Sequence, residues 1–218
     1  MKLKELSLTK TITSLGILSF VFLTTFSAHA KPISIVAFGD SLMAGYQLAQ
    51  EDAFPVKLAE AMTKKGYDIT MTNASVSGDT TSGGLSRLDW SIPDGTDAVI
   101  LELGANDALR GLPVNTTREN LNKMAERLQE RGINFIIMGM LAPPNMGAEY
   151  ETAFNTIYPD LADTFDAKLY PFFLDGVAGI NELNISDGIH PNPEGIAVMV
   201  EKISSIFEAF LKEMASKP

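Results

Sequence analysis

The chain has 218 residues, 45% of them hydrophobic and 20% charged, which is enough apolar material for a buried core and too much for a disordered chain. Its 17 Lys and Arg against 27 Asp and Glu give a net charge of −10, which argues against recruitment of nucleic acid or anionic lipid head groups by charge alone. The lack of cysteine excludes a disulfide framework, a thiolate nucleophile and a cysteine-ligated metal centre, and two histidines leave little room for a His-rich one.

In chain order, Met1 to Lys10 carries three lysines against one glutamate, and Ile12 to Phe26 is uncharged and mostly apolar. Ala28-His29-Ala30 closes this stretch as a small-x-small cleavage pattern, and the apolar run is shorter than the ~20 residues of a spanning helix. These features predict a secretory signal over residues 1–30 and a mature chain from Lys31 to Pro218, periplasmic or secreted and without stable membrane insertion. An uncleaved membrane anchor is the alternative. Cleavage leaves 188 residues with net charge −12 and one histidine, His190, so any imidazole chemistry of the mature chain falls to that residue.

Short apolar runs rich in β-branched residues predict strands over Ile33 to Phe38, Ile69 to Asn73, Ala98 to Leu103, Phe135 to Met140 and Leu169 to Phe172. Helices are predicted between them. Phe54 to Lys65 forms one, stopped by Gly66. Thr116 to Arg131 forms another, with Leu121, Met124 and Leu128 on one stripe and Thr116 and Glu119 at capping-box spacing. Tyr150 to Lys168 contains Pro159 and is expected to kink or split, with Tyr150, Phe154 and Tyr158 packing into the core. The last helix follows Pro193 and buries Ile196, Val200, Ile203, Phe207 and Phe210. Alternating strands and helices without an internal break point to one α/β domain over 31–218. The expected fold is a flavodoxin-like three-layer sandwich around a five-stranded, mostly parallel sheet, with ligands at the carboxyl ends of the strands.

Four segments at those strand ends can carry chemistry. Gly39-Asp40-Ser41-Leu42 follows the first strand and puts a hydroxyl where a nucleophile would sit, although alone it reads equally well as a simple turn. Asp187-Gly188-Ile189-His190 precedes the last helix. A carboxylate three residues from His190 can accept its Nδ1 proton and leave Nε2 free to take the proton of Ser41. Gly104-Ala105-Asn106-Asp107 ends the third strand with an amide donor on Asn106. Asn73 to Thr80 contains Gly78, whose backbone N–H a substrate could approach closely. Asp40 and Asp107 are expected to hydrogen-bond their loops in place rather than bind metal.

Together, Gly39-Asp40-Ser41-Leu42, Gly78, Gly104-x-Asn106-Asp107 and Asp187-x-x-His190 resemble the blocks of the SGNH, or GDSL-type, hydrolases. The resemblance spans nearly the whole mature chain and leans to the bacterial periplasmic branch of thioesterases, lysophospholipases and arylesterases. It implies a Ser41 nucleophile, a His190 general base, an orienting Asp187, and an oxyanion hole from the Ser41 and Gly78 N–H groups and the Asn106 side chain. It also implies an acyl-responsive loop after the Asn106 block. The Gly-x-Ser-x-Gly elbow of the α/β-hydrolases is absent around Ser41, so that fold is not expected. Two Pro/Gly-rich loops, Leu109 to Pro113 and Ala142 to Gly147, suit a hydrophobic acyl groove, with Leu109, Leu112, Pro113 and Met146 as candidate substrate contacts. A monomeric, cofactor-free and metal-free enzyme acting on a small acyl ester or lipid is expected. A carbohydrate O-deacetylase, using Tyr46 and Trp90 against a sugar, and a non-catalytic acyl-binding envelope module are the alternatives.

Overall fold

Ile69–Asn73 (β2), Ile33–Phe38 (β1), Ala98–Leu101 (β3), Asn134–Met138 (β4) and Lys168–Tyr170 (β5) form one parallel sheet in that spatial order. The three inner strands are near-continuous apolar runs, and Val36, Ala37, Phe38, Val99, Ile100, Ile136 and Ile137 are all buried, as strands covered on both faces require. β2 is more polar and β5 only three residues long, which blunts the two exposed edges. The computed structural model describes residues 31–216, so the expected signal segment lies outside the described residues.

The helices are Ser41–Ala44 (α1), Phe54–Lys64 (α2), Thr81–Ser91 (α3), Ala105–Leu109 (α4), Val114–Glu130 (α5), Ala148–Asn155 (α6), Ile157–Phe165 (α7) and Pro193–Ser216 (α8). α2 packs against α8, while α3, α5, α6 and α7 pack among themselves, giving helical layers about the sheet. The expected stripe of α8 is buried in full, with Pro193 as its first residue. Pro159 falls in the first turn of α7, where a missing N–H costs nothing, and the expected split occurs just before it at Asn155 and Thr156.

Two expectations need correction, and one helix goes unpredicted. The sequence places the start of α5 at Thr116, but the helix begins at Val114 behind Pro113 and has no side-chain cap; Thr116 already donates its N–H to the Pro113 carbonyl at 3.0 Å inside the first turn. The third, fourth and fifth strands end two residues earlier than their apolar runs, because the chain leaves the ladder toward the loops of the carboxyl edge. Helix α3 is not apparent in its sequence, since Thr81-Ser82-Gly83-Gly84 carries two poor helix formers. It forms because Gly84 lies flush on Leu103, where a Cβ would come within 2.2 Å of Leu103 Cδ1, and because Leu88 is fully buried.

The strand order makes the chain step outward from β1 to β2 and then return past β1 to β3. The crevice beyond the carboxyl ends of β1 and β3 is therefore the topological switch point of the sheet. A second anchor shapes the same edge: Gly195, in the first turn of α8, lies where a Cβ would come within 2.1 Å of the Leu183 carbonyl oxygen. Gly195→Ala is expected to destabilise the protein by about 1–3 kcal/mol, as backbone overpacking does, measured by denaturant unfolding.

Candidate active site

After β1 the chain turns at Gly39, where a side chain has no room: a Cβ would meet Glu102 Oε2 at 2.5 Å. Asp40 then caps α1, its Oδ1 accepting the Leu42 N–H at 3.0 Å. Ser41 is thus the first residue of a one-turn helix, with an N–H that has no intrahelical acceptor.

The partner of Ser41 comes from the far end of the chain. Asn184 bridges Pro191, and the Ile185 N–H donates to the His190 carbonyl at 2.8 Å, closing a loop over 184–191. Inside it, Gly188 at φ +69° reverses the chain, so that Asp187 Oδ1 accepts the N–H groups of Ile189 and His190 at 2.9 and 3.0 Å. The other oxygen, Oδ2, lies 2.7 Å from His190 Nδ1, and His190 Nε2 lies 2.8 Å from Ser41 Oγ. Asn184 donates to the carbonyls of Val177 and Ile180, and Asn192 donates to the Glu182 carbonyl while accepting the Gly195 N–H, so the loop is fastened to the start of α8. With Asp187 ionised, Nδ1 carries the proton and Nε2 is left to accept from Ser41.

Two further segments line the same cleft as Ser41. Gly78, at φ +84°, lies in the turn after β2. Asn106 is the second residue of α4 and gives one Nδ2 hydrogen to Asp40 Oδ2 at 2.9 Å. Ser41, Gly78, Asn106 and His190 all line one cleft of about 820 Å³. Its other walls are largely apolar and include Tyr46, Leu109, Leu141, Pro143, Phe172 and Ile189. Of the four residues expected to contact substrate, Leu109 lines the cleft, whereas Leu112, Pro113 and Met146 do not. Met146 instead closes on Gly111, which joins the two lip loops, and the Leu112 carbonyl accepts from Tyr150 at 3.0 Å. Tyr46 packs 4.6 Å from the His190 ring, while Trp90 is 76% exposed on α3 and does not line the cleft.

Asp40 and Asp107 hold loops, as expected. Asp107 is fully buried and accepts from the Thr81 backbone and from the Thr81 and Thr117 hydroxyls, linking α4 to α3 and α5. Three residues with comparable duties escape a reading of the sequence. Arg110 donates to the Gly78 carbonyl at 2.7 Å and approaches Asn106 Oδ1 at 3.5 Å, tying the turn after β2 to α4. Its i, i+4 spacing from Asn106 was the available signal. Arg87, on α3, is buried over the Phe38 ring and reaches the carbonyls of Gly39 and Ala74 and the carboxylate of Asp79. Glu102 is fully buried and accepts the Asp40 N–H at 3.1 Å; a lone acid closing the apolar run of β3 was its signature.

Burial pushes the Asp40 carboxyl up to about 6, against the opposing pull of the Leu42 N–H, Asn106 and His190. Asp187 goes the other way. Desolvation is the largest single influence and pushes upward, but the N–H groups of His190 and Ile189 and the His190 ring together outweigh it, so its carboxyl sits below the usual range. Asp187 therefore stays ionised across the range in which an imidazole titrates.

Residues 37–198 match the model of the GDSL-like lipase/acylhydrolase family. An arylesterase of Vibrio mimicus is 42% identical, covering 82% of this chain and 90% of its own length. The thioesterase 1/protease 1/lysophospholipase L1 of Escherichia coli is 37% identical, with coverage of 79% and 82%. Among solved structures, AlinE4, an SGNH-hydrolase family esterase, superposes with a TM-score of 0.70 at 44% identity, covering 83% of this chain and 97% of that one. The chain belongs to the GDSL-like lipase/acylhydrolase family. It is an ester-hydrolysing enzyme of that family.

The Arg110 bridge makes a testable demand on this site. Arg110→Met is expected to lower kcat toward a soluble aryl ester about tenfold with little change in KM, since it frees Asn106 and Gly78 without touching the apolar walls. Steady-state kinetics on the purified variant check it.

Proposed function

We propose that the protein is a serine esterase that hydrolyses carboxylic esters and thioesters, with aryl esters, lysophospholipids and acyl thioesters as its substrate classes. The observation that carries the reading is the hydrogen-bonded series Asp187, His190, Ser41, at 2.7 and 2.8 Å, opening into a cleft with apolar walls. Ser41 Oγ attacks the acyl carbonyl as His190 Nε2 takes its proton, and the resulting imidazolium is balanced by Asp187. The oxyanion that forms is held by the N–H groups of Ser41 and Gly78 and by the Nδ2 hydrogen of Asn106 not used by Asp40. His190 returns the proton to the leaving oxygen or sulfur. Water, deprotonated by the same nitrogen, then releases the acid from Ser41.

Every group in this scheme comes from one chain, which supports action as a monomer. The names of the relatives support the substrate classes, and the apolar cleft walls support the acyl side of the bond. We also place the enzyme outside the cytoplasm. That rests on the leader-like residues 1–30, and N-terminal sequencing of exported protein is expected to begin at Lys31. Among the described residues no helix is long and apolar enough to cross a membrane.

Ser41→Ala is expected to lose roughly a million-fold in turnover, and Asn106→Ala roughly a hundred- to a thousand-fold. The decisive assay compares p-nitrophenyl esters from acetyl to palmitoyl with wild type and Ser41→Ala. A Ser41-dependent optimum at medium or longer chains is expected. Activity confined to acetyl would favour the O-deacetylase, and equal rates in folded Ser41→Ala would end the serine mechanism. The rate is also expected to fall on acidification, because the base must be neutral; a rate unchanged by acidification of the folded enzyme would rule out His190 as base.

A further inference from the structure

Asp40, the residue before the proposed nucleophile, is contacted from behind by a second carboxyl group. Glu102 follows the last residue of β3, and its own N–H continues the ladder by donating to the Phe38 carbonyl at 2.9 Å. Its side chain turns under the Gly39-Asp40-Ser41 turn and is fully buried. Oε2 accepts the Asp40 N–H at 3.1 Å and Oε1 is buried with no N–H or hydroxyl donor on it, while a side-chain hydrogen bond links the Glu102 and Asp40 carboxyl groups to each other. An ionised carboxylate with one donor and a bare oxygen is not tolerated in such a place, whereas a neutral acid is. Among the described residues no cationic side chain acts on Glu102 to compensate. The charged and titratable groups acting on the pair are Asp40 and His190 from the cleft side, with Asp107 of α4 and Tyr158 of α7 in the same buried neighbourhood. The guanidinium of Arg87 is spent on Gly39, Ala74 and Asp79.

Asp40 in turn fixes Asn106. Its Oδ2 accepts one Nδ2 hydrogen, and the Arg110 guanidinium stands on the Oδ1 side, so only one orientation of the carboxamide satisfies both neighbours. The second Nδ2 hydrogen is the one left for the cleft.

We infer that Glu102 is a positioning residue: as a neutral carboxylic acid it accepts the Asp40 N–H and gives its own O–H to the Asp40 carboxylate, and this clamp aims Asn106 at the oxyanion. Burial first, and the neighbouring charge of Asp40 second, raise the Glu102 carboxyl well above the ordinary range, in agreement with that geometry. The Glu102 side chain favours the ionised form of Asp40, which burial opposes. Asp40 must be ionised to accept from Leu42, Asn106 and Glu102 together. The inference rests on the serine esterase reading, because it assigns Asn106 an oxyanion.

The test uses the purified full-length enzyme and a soluble aryl ester. Glu102→Leu removes the donor to Asp40, so kcat is expected to fall about tenfold to a hundredfold with KM nearly unchanged. Protonation of His190 and protonation of Asp40, whose carboxyl sits at about 6, both lower the rate on acidification; loss of a donor that stabilises the charged form raises the Asp40 pKa further, so the acid limb of the rate profile is expected to move to higher pH. Glu102→Gln keeps an acceptor for the Asp40 N–H and a donor for its carboxylate, and is expected to restore both kcat, to within about threefold, and the position of the limb. In an Asn106→Ala background, Glu102→Leu is expected to cost little more, because the clamp then has nothing to aim.

Equal losses in the Gln and Leu variants, an unmoved acid limb in Glu102→Leu, or a full additive loss on Asn106→Ala would each overturn the inference. If Glu102→Leu does not fold, infrared spectroscopy decides. Wild type is expected to show the carbonyl band of a buried neutral carboxylic acid at neutral pH, absent from Glu102→Gln, and a wild-type spectrum without that band overturns the inference. Failure of the esterase reading would appear separately, as undiminished turnover in Ser41→Ala.

Discussion

The parallel pairing of β1 with β3 is the constraint on which the site depends. Phe38 lies opposite Leu101, and the Glu102 N–H extends the ladder by one more bond to the Phe38 carbonyl. The turn at Gly39 to Ser41 and the turn at Glu102 to Asn106 therefore leave the sheet side by side. A slip of one residue would turn the buried face of either strand toward the wrong layer, so the register is held by the core itself. Gly39 is the local expression of the same closeness, since any side chain there would run into Glu102.

From that pairing outward, the site is built from buried polar groups that answer one another. Asp107 collects three donors from α3 and α5, and Arg87 collects acceptors from Gly39, Ala74 and Asp79. Both tie loops of different strands into one wall. The two acidic residues nearest the hydroxyl are pushed in opposite directions: Asp40 upward by burial, Asp187 downward by the N–H groups of its own loop. One face of the site is thus tuned by loss of water and the other by backbone dipoles, which keeps their titrations apart.

Much of this was legible in the sequence, for identifiable reasons. β1 and β2 were bounded correctly because their β-branched runs stop at Gly39 and Asn73, where turn residues take over. Ser41, Asp187 and His190 were legible because one histidine remained after residue 30 and a carboxylate stood three residues from it. Helix α3 was not, because Gly83 and Gly84 give it low propensity and only packing against Leu103 and the buried Leu88 makes it a helix. Arg87 was hidden with it. The Thr116 cap misled because Pro113 sets the start of α5 two residues earlier. Leu112, Pro113 and Met146 looked like groove residues by composition, but composition does not distinguish a wall of the cleft from the contacts behind it, such as that of Met146 on Gly111.

The closed loop over 184–191 has one more consequence. Asp187 and His190 are three residues apart, and the contacts that set their mutual geometry, the Gly188 reversal and two backbone N–H groups, lie inside that loop. The distance between them is thus a local property, indifferent to motions elsewhere in the molecule. Only one separation, from His190 Nε2 to Ser41 Oγ, has to be kept by the long-range fold. A site arranged this way behaves as two rigid parts with a single adjustable joint: helical layers and cleft walls can drift in sequence without disturbing the Asp187–His190 pair, provided that Asn184 and Asn192 keep the loop seated at the start of α8.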